Sequence, residues 1–253
     1  MLLGSHCSLI ANRGVPFTPR PMTINRLVSI AALAAALISA ASAQTVITLQ
    51  NATAQVSQSG FGVSAAIDGS ITNDIGWAHG GLNTADDAVF ETATDASFGT
   101  YNFTFTMNYS DHTLGRFRLS TTADDRSTFA DGLQNGGDVT ATWTVLTPFN
   151  LVSSGGATMS VLGDNSILVG GTSPTADTYT FSANSNQLAV TGFRIELLLD
   201  ASLPGTGPGR AGNSNFVLSE FAITGVGAVP EPSTYALFAG VLALGLATWH
   251  RRR

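Results

Sequence analysis

Two pairs of adjacent aspartates, Asp86-Asp87 and Asp124-Asp125, are the side chains best suited to acid–base chemistry in this chain of 253 residues. Glycoside hydrolysis needs two carboxylates about 5 to 9.5 Å apart, one of them with a raised pKa. Both pairs lie in polar, loop-like sequence, and adjacent residues of a strand point to opposite faces. The chain contains no Gly-x-Ser-x-Gly elbow, His-Glu-x-x-His motif or phosphate-binding loop. We therefore predict a non-catalytic protein, with a polysaccharide-acting hydrolase as the alternative.

Histidine and cysteine give little support for a metal centre or a nucleophile. We expect neither His79 nor His112 to have an acidic partner nearby, and two such histidines make a poor metal site. His79 lies in the glycine-containing loop after Trp77, where it is a candidate ligand contact, although a hydrogen-bonded loop histidine is the favoured alternative. The one cysteine, Cys7, precedes the predicted domain, which excludes a disulfide or thiolate site from that domain.

Three further residues complete the candidate ligand-binding set. The flat ring of Trp77 could stack on a sugar, but a tryptophan that caps the core is favoured. Arg116 alternates with Phe117, so that it faces away from the core; it could hold a sugar hydroxyl or a carboxylate, and pairing with a surface aspartate is the safer interpretation. Arg210 lies between Gly209 and Ala211, where a glycine-rich loop would fix a single donor.

The charge balance of the predicted domain limits its partners. Between residues 44 and 228 there are 16 acidic residues and five arginines, a net charge of −11, and the whole chain contains no lysine. A surface this acidic argues against nucleic acid or anionic lipid as a partner. It is compatible with neutral glycans, with cations, or simply with solubility outside the cell.

The elements that would position these residues are β-strands. Tyr101, Phe103, Phe105 and Met107 alternate with polar residues, which predicts a half-buried strand. Further strands are predicted at 116–120, 139–145, 158–162, 166–169, 178–183, 190–199 and 215–224. Glycine-rich turns separate them, and Asp164-Asn165 predicts a tight hairpin. The fold class is therefore all-β, a single antiparallel β-sandwich over residues 44–228, with Trp143 in its core.

Two internal stretches resemble a known family of modules. Ala66-Ile67-Asp68-Gly69-Ser70, followed by Gly76-Trp77-Ala78, is similar to the start of discoidin-like, galactose-binding-like domains. Segments 112–120 and 207–221 fit the same family, and the resemblance spans about residues 45–225. It implies a five-on-three jelly roll with its chain ends close together. Such modules often bind a sugar in loops at one end and a calcium ion nearby.

The same resemblance implies a pair of calcium ligands. Carried over onto this sequence, they are Asp68, in the Asp-Gly turn, and Glu220, near the end of the domain, together with backbone carbonyls. Ca²⁺ takes about 6–8 oxygen ligands, so this donor set is chemically reasonable. In the alternative interpretation Asp68 stabilises its turn by bonding to its own backbone, and Glu220 is a solvated strand residue.

The C-terminal residues 229–253 resemble a sorting signal. Val229-Pro230-Glu231-Pro232-Ser233 is followed by an uncharged run over 235–249 and by three arginines at 251–253. This order is similar to the PEP-CTERM signal of biofilm-forming bacteria, which implies recognition by an exosortase-type membrane protease. The prolines separate the domain from a predicted transmembrane sorting helix at 235–249, although this run is shorter than the roughly 20 residues that a span needs. Removal of the tail is predicted, and a permanent single-span anchor is the alternative.

The N-terminal residues predict export. Residues 22–43 form a secretory signal peptide, with one positive charge, an apolar run over 27–38 and a small-residue cleavage site between Ala43 and Gln44. Residues 1–21 represent either an incorrectly assigned start or an extended n-region. Together the two ends predict an exported protein that is anchored transiently in the inner membrane and then resides at the cell surface or in the extracellular matrix.

The predicted function follows from these features together. We expect a non-catalytic envelope or matrix protein that binds or associates with extracellular polysaccharide, with calcium as its one candidate cofactor. The predicted partners are the exosortase-type protease, the polysaccharide and the inner membrane, with no nucleic acid. The alternative is a structural matrix protein that associates with itself and has no sugar site.

Overall fold

The computed structural model describes residues 44–72, 75–81, 83–227 and 232–251, with side chains of the last range from 238 onward. The predicted segments 1–21 and 22–43, the cleavage residue Ala43, the motif residues Pro230 and Glu231 and the last two arginines lie outside the described residues. The chain divides into two compact units, of which one covers residues 41–229. We refer to that unit as the domain.

The described residues of the domain form fourteen strands and three short 3₁₀ helices. The strands are β1 (Gln44–Ile47), β2 (Leu49–Ala54), β3 (Trp77–Ala78), β4 (Asp86–Ala96), β5 (Thr100–Met107), β6 (Arg116–Thr122), β7 (Thr144–Val145), β8 (Pro148–Ser153), β9 (Ala157–Val161), β10 (Ile167–Gly171), β11 (Asp177–Asn184), β12 (Val190–Leu197), β13 (Val217–Leu218) and β14 (Glu220–Val226). The 3₁₀ helices are Val63–Ala66, Arg126–Thr128 and Pro204–Thr206.

These strands form two main antiparallel sheets, which confirms the all-β prediction. The first sheet has five strands in the order β1-β14-β5-β11-β8. The second has seven, in the order β2-β4-β12-β6-β10-β9, with β7 paired to β6. The described residues therefore form a five-on-seven arrangement rather than the five-on-three one that the resemblance implied. A separate small ladder joins β3 and β13.

The core lies between the two sheets and is rich in aromatic rings. Along β5 every second residue is buried, with Phe103 and Phe105 pointing inward as their alternation predicted. Phe103 stacks on Phe181 of β11 with ring centroids 5.2 Å apart and meets Phe193 of β12 edge-on at 5.8 Å. Such pairs contribute beyond the burial of their area, so β5 connects both sheets through one aromatic cluster.

The predicted strand at 139–145 is mostly wrong. Only Thr144–Val145 forms a strand, and the preceding residues cross the outer face of the second sheet. There Trp143 packs on Phe129 at 5.4 Å, in a satellite cluster with Val89 and Val139. Trp143 is therefore partly buried outside the main core, because a long connection, and not a strand, brings it to the sheet.

The two ends of the domain are paired directly. Gln44 of β1 lies opposite Val226 of β14 in the antiparallel ladder. This agrees with the expectation that the chain ends of the domain are close together.

The other unit covers residues 1–40 and 230–253, and its described part is one helix, α1 (Pro232–Arg251). It includes the predicted helical run 235–249. Among the described residues, no helix combines the length and apolarity needed to cross a membrane. The prediction of a transmembrane helix at 235–249 is therefore not supported, in keeping with its short uncharged run.

Candidate functional site

Glu220 and the Asp-Gly turn come together at one end of the sandwich. The backbone N–H of Gly69 donates to Glu220 Oε2 at 3.0 Å. Asp68 Oδ1 accepts a hydrogen bond from the backbone N–H of Ser70 at 2.8 Å, which is the turn geometry of the alternative interpretation. Burial raises the pKa of Glu220; the Gly69 N–H opposes that rise, and the negative charge of Asp68 adds to it. The two predicted calcium ligands are therefore close enough to repel each other.

The oxygens available at this place suit a hard cation. Asp68 and Glu220 each use one carboxylate oxygen in a hydrogen bond to the turn, and the other oxygen has no hydrogen-bond partner among the described residues. No group of three or more His, Cys, Asp or Glu residues gathers in the described part of the chain. A calcium ion here would take its remaining oxygen ligands from backbone carbonyls and water, as Ca²⁺ commonly does.

Trp77 is a core residue and is not available to a ligand. It is fully buried, meets Phe216 edge-on at 5.2 Å, and its Nε1 donates to the carbonyl of Val56 at 3.2 Å. Its strand β3 pairs with β13, and a side chain at Gly76 would contact the carbonyl oxygen of Leu218. The candidate assignment of Trp77 to ligand binding is therefore wrong, and the core alternative holds.

His79 has the acidic partner that was not expected. It is 1% exposed, and its Nε2 pairs with the carboxylate of Asp86, seven residues later. Thr84 donates to the same carboxylate oxygen at 2.9 Å. The Gly80 N–H donates to Asn215 at 2.9 Å, which fixes the loop. The assignment of His79 to ligand binding is wrong, because this ring is buried and bonded within the protein.

Arg116 is held by the protein itself. Its guanidinium lies 2.9 Å from Asp164 and 3.4 Å from Asp200, and it also donates to the carbonyl of Leu199 at 2.8 Å. The tight hairpin at Asp164-Asn165 is confirmed, and Asn165 has a φ of 63°. The interpretation that Arg116 pairs with a surface aspartate is confirmed, so Arg116 is not a free ligand contact.

Arg118, two residues later on the same face, forms a two-pronged pair with Glu196 of β12. Its Nε and Nη2 donate to the two carboxylate oxygens at 2.7 and 2.8 Å. Burial alone would raise the pKa of Glu196, but the hydrogen bond from Arg118 and the charge of Arg194 together lower it. This pair stabilises the centre of the second sheet.

Arg210 differs from the other arginines of the domain because it has no carboxylate partner among the residues that the structure describes. Arg116, Arg118, Arg126 and Arg194 each form at least one ion pair. Arg210 donates from Nη2 to the carbonyl of Gly171 at 2.9 Å, while its buried Nη1 has no hydrogen-bond partner. Burial raises the pKa of Tyr179, and Thr113 and the nearby Arg210 guanidinium oppose that rise. Arg210 is therefore held by neutral groups rather than by a carboxylate.

The four aspartates considered for catalysis have structural partners. Asp86 and Asp87 begin β4, contrary to the loop expectation, and they point to different partners: His79 for Asp86, and Arg194 at 3.6 Å for Asp87. Burial raises the pKa of Asp87, and Arg194 opposes that rise.

The two aspartates of the second pair also have hydrogen-bond partners within the protein. Asp124 accepts from the N–H of Thr142 at 2.6 Å, and Asp125 caps a 3₁₀ helix by accepting from the N–H of Ser127 at 2.9 Å. Neither aspartate pair forms an acid–base pair across a cleft.

A concave surface lies at the end of the sandwich that also carries Gln44 and Val226. We call it the amide cleft: it has a volume of about 530 Å³ and is lined by residues 144–149 and 184–187. These two runs contain no charged residue. The ring of Phe149 is 36% exposed, and the buried Oε1 of Gln187 has no hydrogen-bond partner.

No motif in the sequence predicted this cleft. The one sequence feature that could have indicated it is Pro148-Phe149, an apolar pair inside a long uncharged run. A second concavity of about 530 Å³ is lined by residues 57–60, 62, 64–65 and 134–135, and this lining contains no aromatic ring to pack against a ligand.

No protein-family model and no curated protein matches this chain. A solved structure of a family 32 carbohydrate-binding module, C. perfringens NanJ in complex with galactose, is similar in fold with a TM-score of 0.41 and 10% sequence identity. The match covers 72% of this chain and 99% of that module. Similarity at this level does not transfer a ligand or a site.

Proposed function

We propose that this protein is a non-catalytic, exported envelope or matrix protein whose domain associates with extracellular polysaccharide through the amide cleft. The observation that carries the proposal is the composition of the cleft. It combines a partly exposed aromatic ring, several side-chain amides and hydroxyls, and an unsatisfied buried acceptor, without any charge.

A neutral sugar matches these features chemically. The apolar face of a pyranose ring packs against an aromatic ring such as Phe149, while its hydroxyls donate to and accept from amides. The exposed side-chain amides of Asn184 and Asn186 line the same cleft and offer the donors and acceptors that such hydroxyls need. A volume of about 530 Å³ also falls within the usual range for small-molecule sites.

Calcium is part of the same proposal. An ion bound between Asp68 and Glu220 would offset the repulsion of two close carboxylates and fix the Asp-Gly turn against the start of β14. Its role would be structural, because Asp68 and Glu220 lie at the opposite end of the sandwich strands from the amide cleft.

Export and sorting rest on the sequence motifs of the two ends. The signal peptide would deliver the chain across the inner membrane, and an exosortase-type protease would recognise the PEP-CTERM-like tail. The mature protein would then reside at the cell surface or in the extracellular matrix.

A glycan array with the full chain in detergent, with and without calcium, tests the proposed binding. Phe149→Ala and Gln187→Ala should each weaken binding of the best neutral glycan at least tenfold. Val152→Ala is the matched control, because Val152 lies on the same strand, is 58% exposed and does not line the cleft. Binding that is unchanged in both cleft variants would exclude the cleft, and release of reducing sugar from the producer's own polysaccharide would contradict the non-catalytic assignment.

A further inference from the structure

The outer face of the first sheet carries almost no charge. Every second residue of β5, β11 and β14 points outward, and these outward residues are mostly threonine, serine and asparagine. Glu220, at the end away from the amide cleft, is the one charged residue among them. The outer face of the second sheet, by contrast, carries the ion pairs of Arg118 with Glu196 and of Arg194 with Asp87. The charges of this acidic domain are therefore concentrated away from the outer face of the first sheet.

Part of this uncharged face continues directly from the amide cleft. Phe149 of β8 and Asn184 of β11 both line the cleft, and both point outward from the sheet. From Phe149 a row of directly opposite residues crosses the sheet to β14, through Ser182, Asn102 and Thr224. Asn184 begins the neighbouring row, in which it lies opposite Thr100. We call these six residues the neutral strip: Phe149, Ser182, Asn102, Thr224, Asn184 and Thr100.

Two side-chain amides of the neutral strip are fixed by their neighbours and keep their N–H groups free. Ser182 Oγ donates to Asn102 Oδ1 at 2.7 Å, and Thr100 Oγ1 donates to Asn184 Oδ1 at 2.9 Å. Within the described part of the chain, neither asparagine Nδ2 has a hydrogen-bond partner. Asn102 and Asn184 are diagonal neighbours on adjacent strands, which places them about 7–8 Å apart. Donors that are already oriented in this way lose little freedom when they bind a ligand.

The neutral strip is long and stays open at the end opposite the cleft. Neighbouring strands are about 4.8 Å apart, so the row from Phe149 to Thr224 extends over about 14 Å. Beyond Thr224 the row reaches Val46 of β1, which is 75% exposed. A ligand that begins in the cleft can therefore continue across the sheet without meeting a wall.

The chemistry of the neutral strip selects an uncharged partner that is rich in hydroxyl groups. The domain has a net charge of −11 from 16 acidic residues and five arginines, so it repels anionic polymers. The strip itself offers no carboxylate to a cationic polymer. Its free amide N–H groups bind oxygen atoms, and the ring of Phe149, 36% exposed, offers an apolar surface to the C–H face of a sugar.

We infer that the amide cleft and the neutral strip form one binding surface for an internal stretch of an uncharged, linear polysaccharide, which runs from the cleft across β11, β5 and β14. This inference rests on the proposed function, and it adds the charge, the length and the direction of the bound chain. A single terminal sugar in the cleft would leave Asn102 and Thr224 unused. A linear chain reaches both of them, and it needs no free end because the strip is open.

Oligosaccharides of defined length test the inference. Partial acid hydrolysis of the producer's own extracellular polysaccharide gives trisaccharides and hexasaccharides, which anion exchange separates into neutral and acidic fractions. In calorimetric titration of the full chain in detergent, neutral hexasaccharides should bind at least about tenfold more tightly than neutral trisaccharides, because the additional sugars form hydrogen bonds with the strip. A ratio near one would overturn the inference and leave the proposed function standing, and tighter binding of acidic fragments would refute the uncharged partner. Absence of binding at both lengths would contradict the proposed function itself.

Variants of the strip test its position. Thr224→Glu places a larger, charged side chain two strands away from the cleft residue Asn184, and it should reduce the ratio of hexasaccharide to trisaccharide affinity to about one. Thr178→Glu is the matched control, because it makes the same change on the same face, about 13 Å along β11 from Ser182, and it should keep the wild-type ratio. Asn102→Ala removes a donor without adding charge and should lower the ratio at least about threefold. Trisaccharide binding reports that each variant is folded. A wild-type ratio in Thr224→Glu would exclude the strip, and a dimer in sedimentation velocity that only Thr224→Glu dissociates would assign the strip to a second copy and overturn the inference.

Discussion

Glu220, the first residue of β14, accepts a hydrogen bond at 3.0 Å from the backbone N–H of Gly69, 151 residues earlier in the chain. This contact brings the carboxylates of Asp68 and Glu220 into the same neighbourhood. The pKa of Glu220 is raised, first by burial and further by Asp68. The contact therefore has a measurable consequence for how stability depends on pH and calcium.

Without calcium, Glu220 should destabilise the folded domain at neutral pH. Its raised pKa means that the folded protein keeps a proton that the unfolded chain loses near its ordinary value of 4.5. The contribution of Glu220 to stability is thus highest below that pH and decreases as the pH rises through the raised pKa. Glu220→Gln should remove this decrease and slightly raise Tm at pH 7.

Calcium should make the wild type more stable than Glu220→Gln. Saturation about 100-fold above Kd would stabilise the wild type by about 2.7 kcal/mol, and Glu220→Gln should lose this gain. Calorimetry with calcium and with a chelator measures both effects, with Asp111→Asn, an exposed carboxylate elsewhere, as control. Equal calcium responses in all three proteins would exclude the site.

The pair of Arg118 and Glu196 predicts a different pH dependence. The pKa of Glu196 is lowered despite its burial, because Arg118 and Arg194 favour the carboxylate. The stabilisation it provides is present above its ordinary value of 4.5 and is lost as the pH falls through the lowered pKa. Glu196→Gln should cost about 1–3 kcal/mol at pH 7, because it leaves part of a buried charged pair unsatisfied.

Urea unfolding at pH 7 and at pH 3 measures how much unfolding free energy Glu196→Gln loses at each pH. The difference in unfolding free energy between the wild type and Glu196→Gln should narrow at the lower pH, because protonation removes the charge that distinguishes Glu196 from glutamine. A gap that stays constant would assign the loss to packing rather than to charge. Asp111→Asn should leave the urea unfolding curve unchanged at pH 7.

The aromatic cluster around β5 should carry a large share of the folding energy. Phe103→Ala removes a ring that contacts both sheets through Phe181 and Phe193, and such truncations cost about 3–5 kcal/mol. Val46→Ala is the control, because Val46 is hydrophobic but 75% exposed. Urea unfolding should separate the two variants clearly, and similar losses would contradict the placement of the core.

The sequence predicted β5 well and missed β4, for a physical reason. The outer face of β5 remains accessible, so its residues alternate between apolar and polar. In β4 the central residues are buried on both faces, since the long connection after β6 packs Phe129 and Val139 against Val89. Alternation disappears in a strand that is covered on both sides, and Asp86-Asp87 at its start suggested a loop.

The candidate site residues were harder to predict because long-range contacts decide their exposure. Trp77 is buried through a two-residue ladder with β13, about 140 residues away. Arg116 forms ion pairs with two aspartates from different turns. Only a contact across the fold shows whether a side chain with suitable chemistry is free.

The loop that presents Arg210 should depend on the absence of a side chain at Gly209. A Cβ at Gly209 would overlap the carbonyl group of Asn215, and the Gly209 N–H donates to the Ser214 carbonyl at 3.0 Å. Gly209→Ala must therefore displace one arm of the loop, which we expect to cost about 1–3 kcal/mol. Gly212→Ala, in the same loop with no atom near its Cβ, should be nearly neutral. Hydrogen exchange should show faster opening of residues 203–216 in Gly209→Ala alone, and the same protection in both variants would mean that this close approach does not hold the loop.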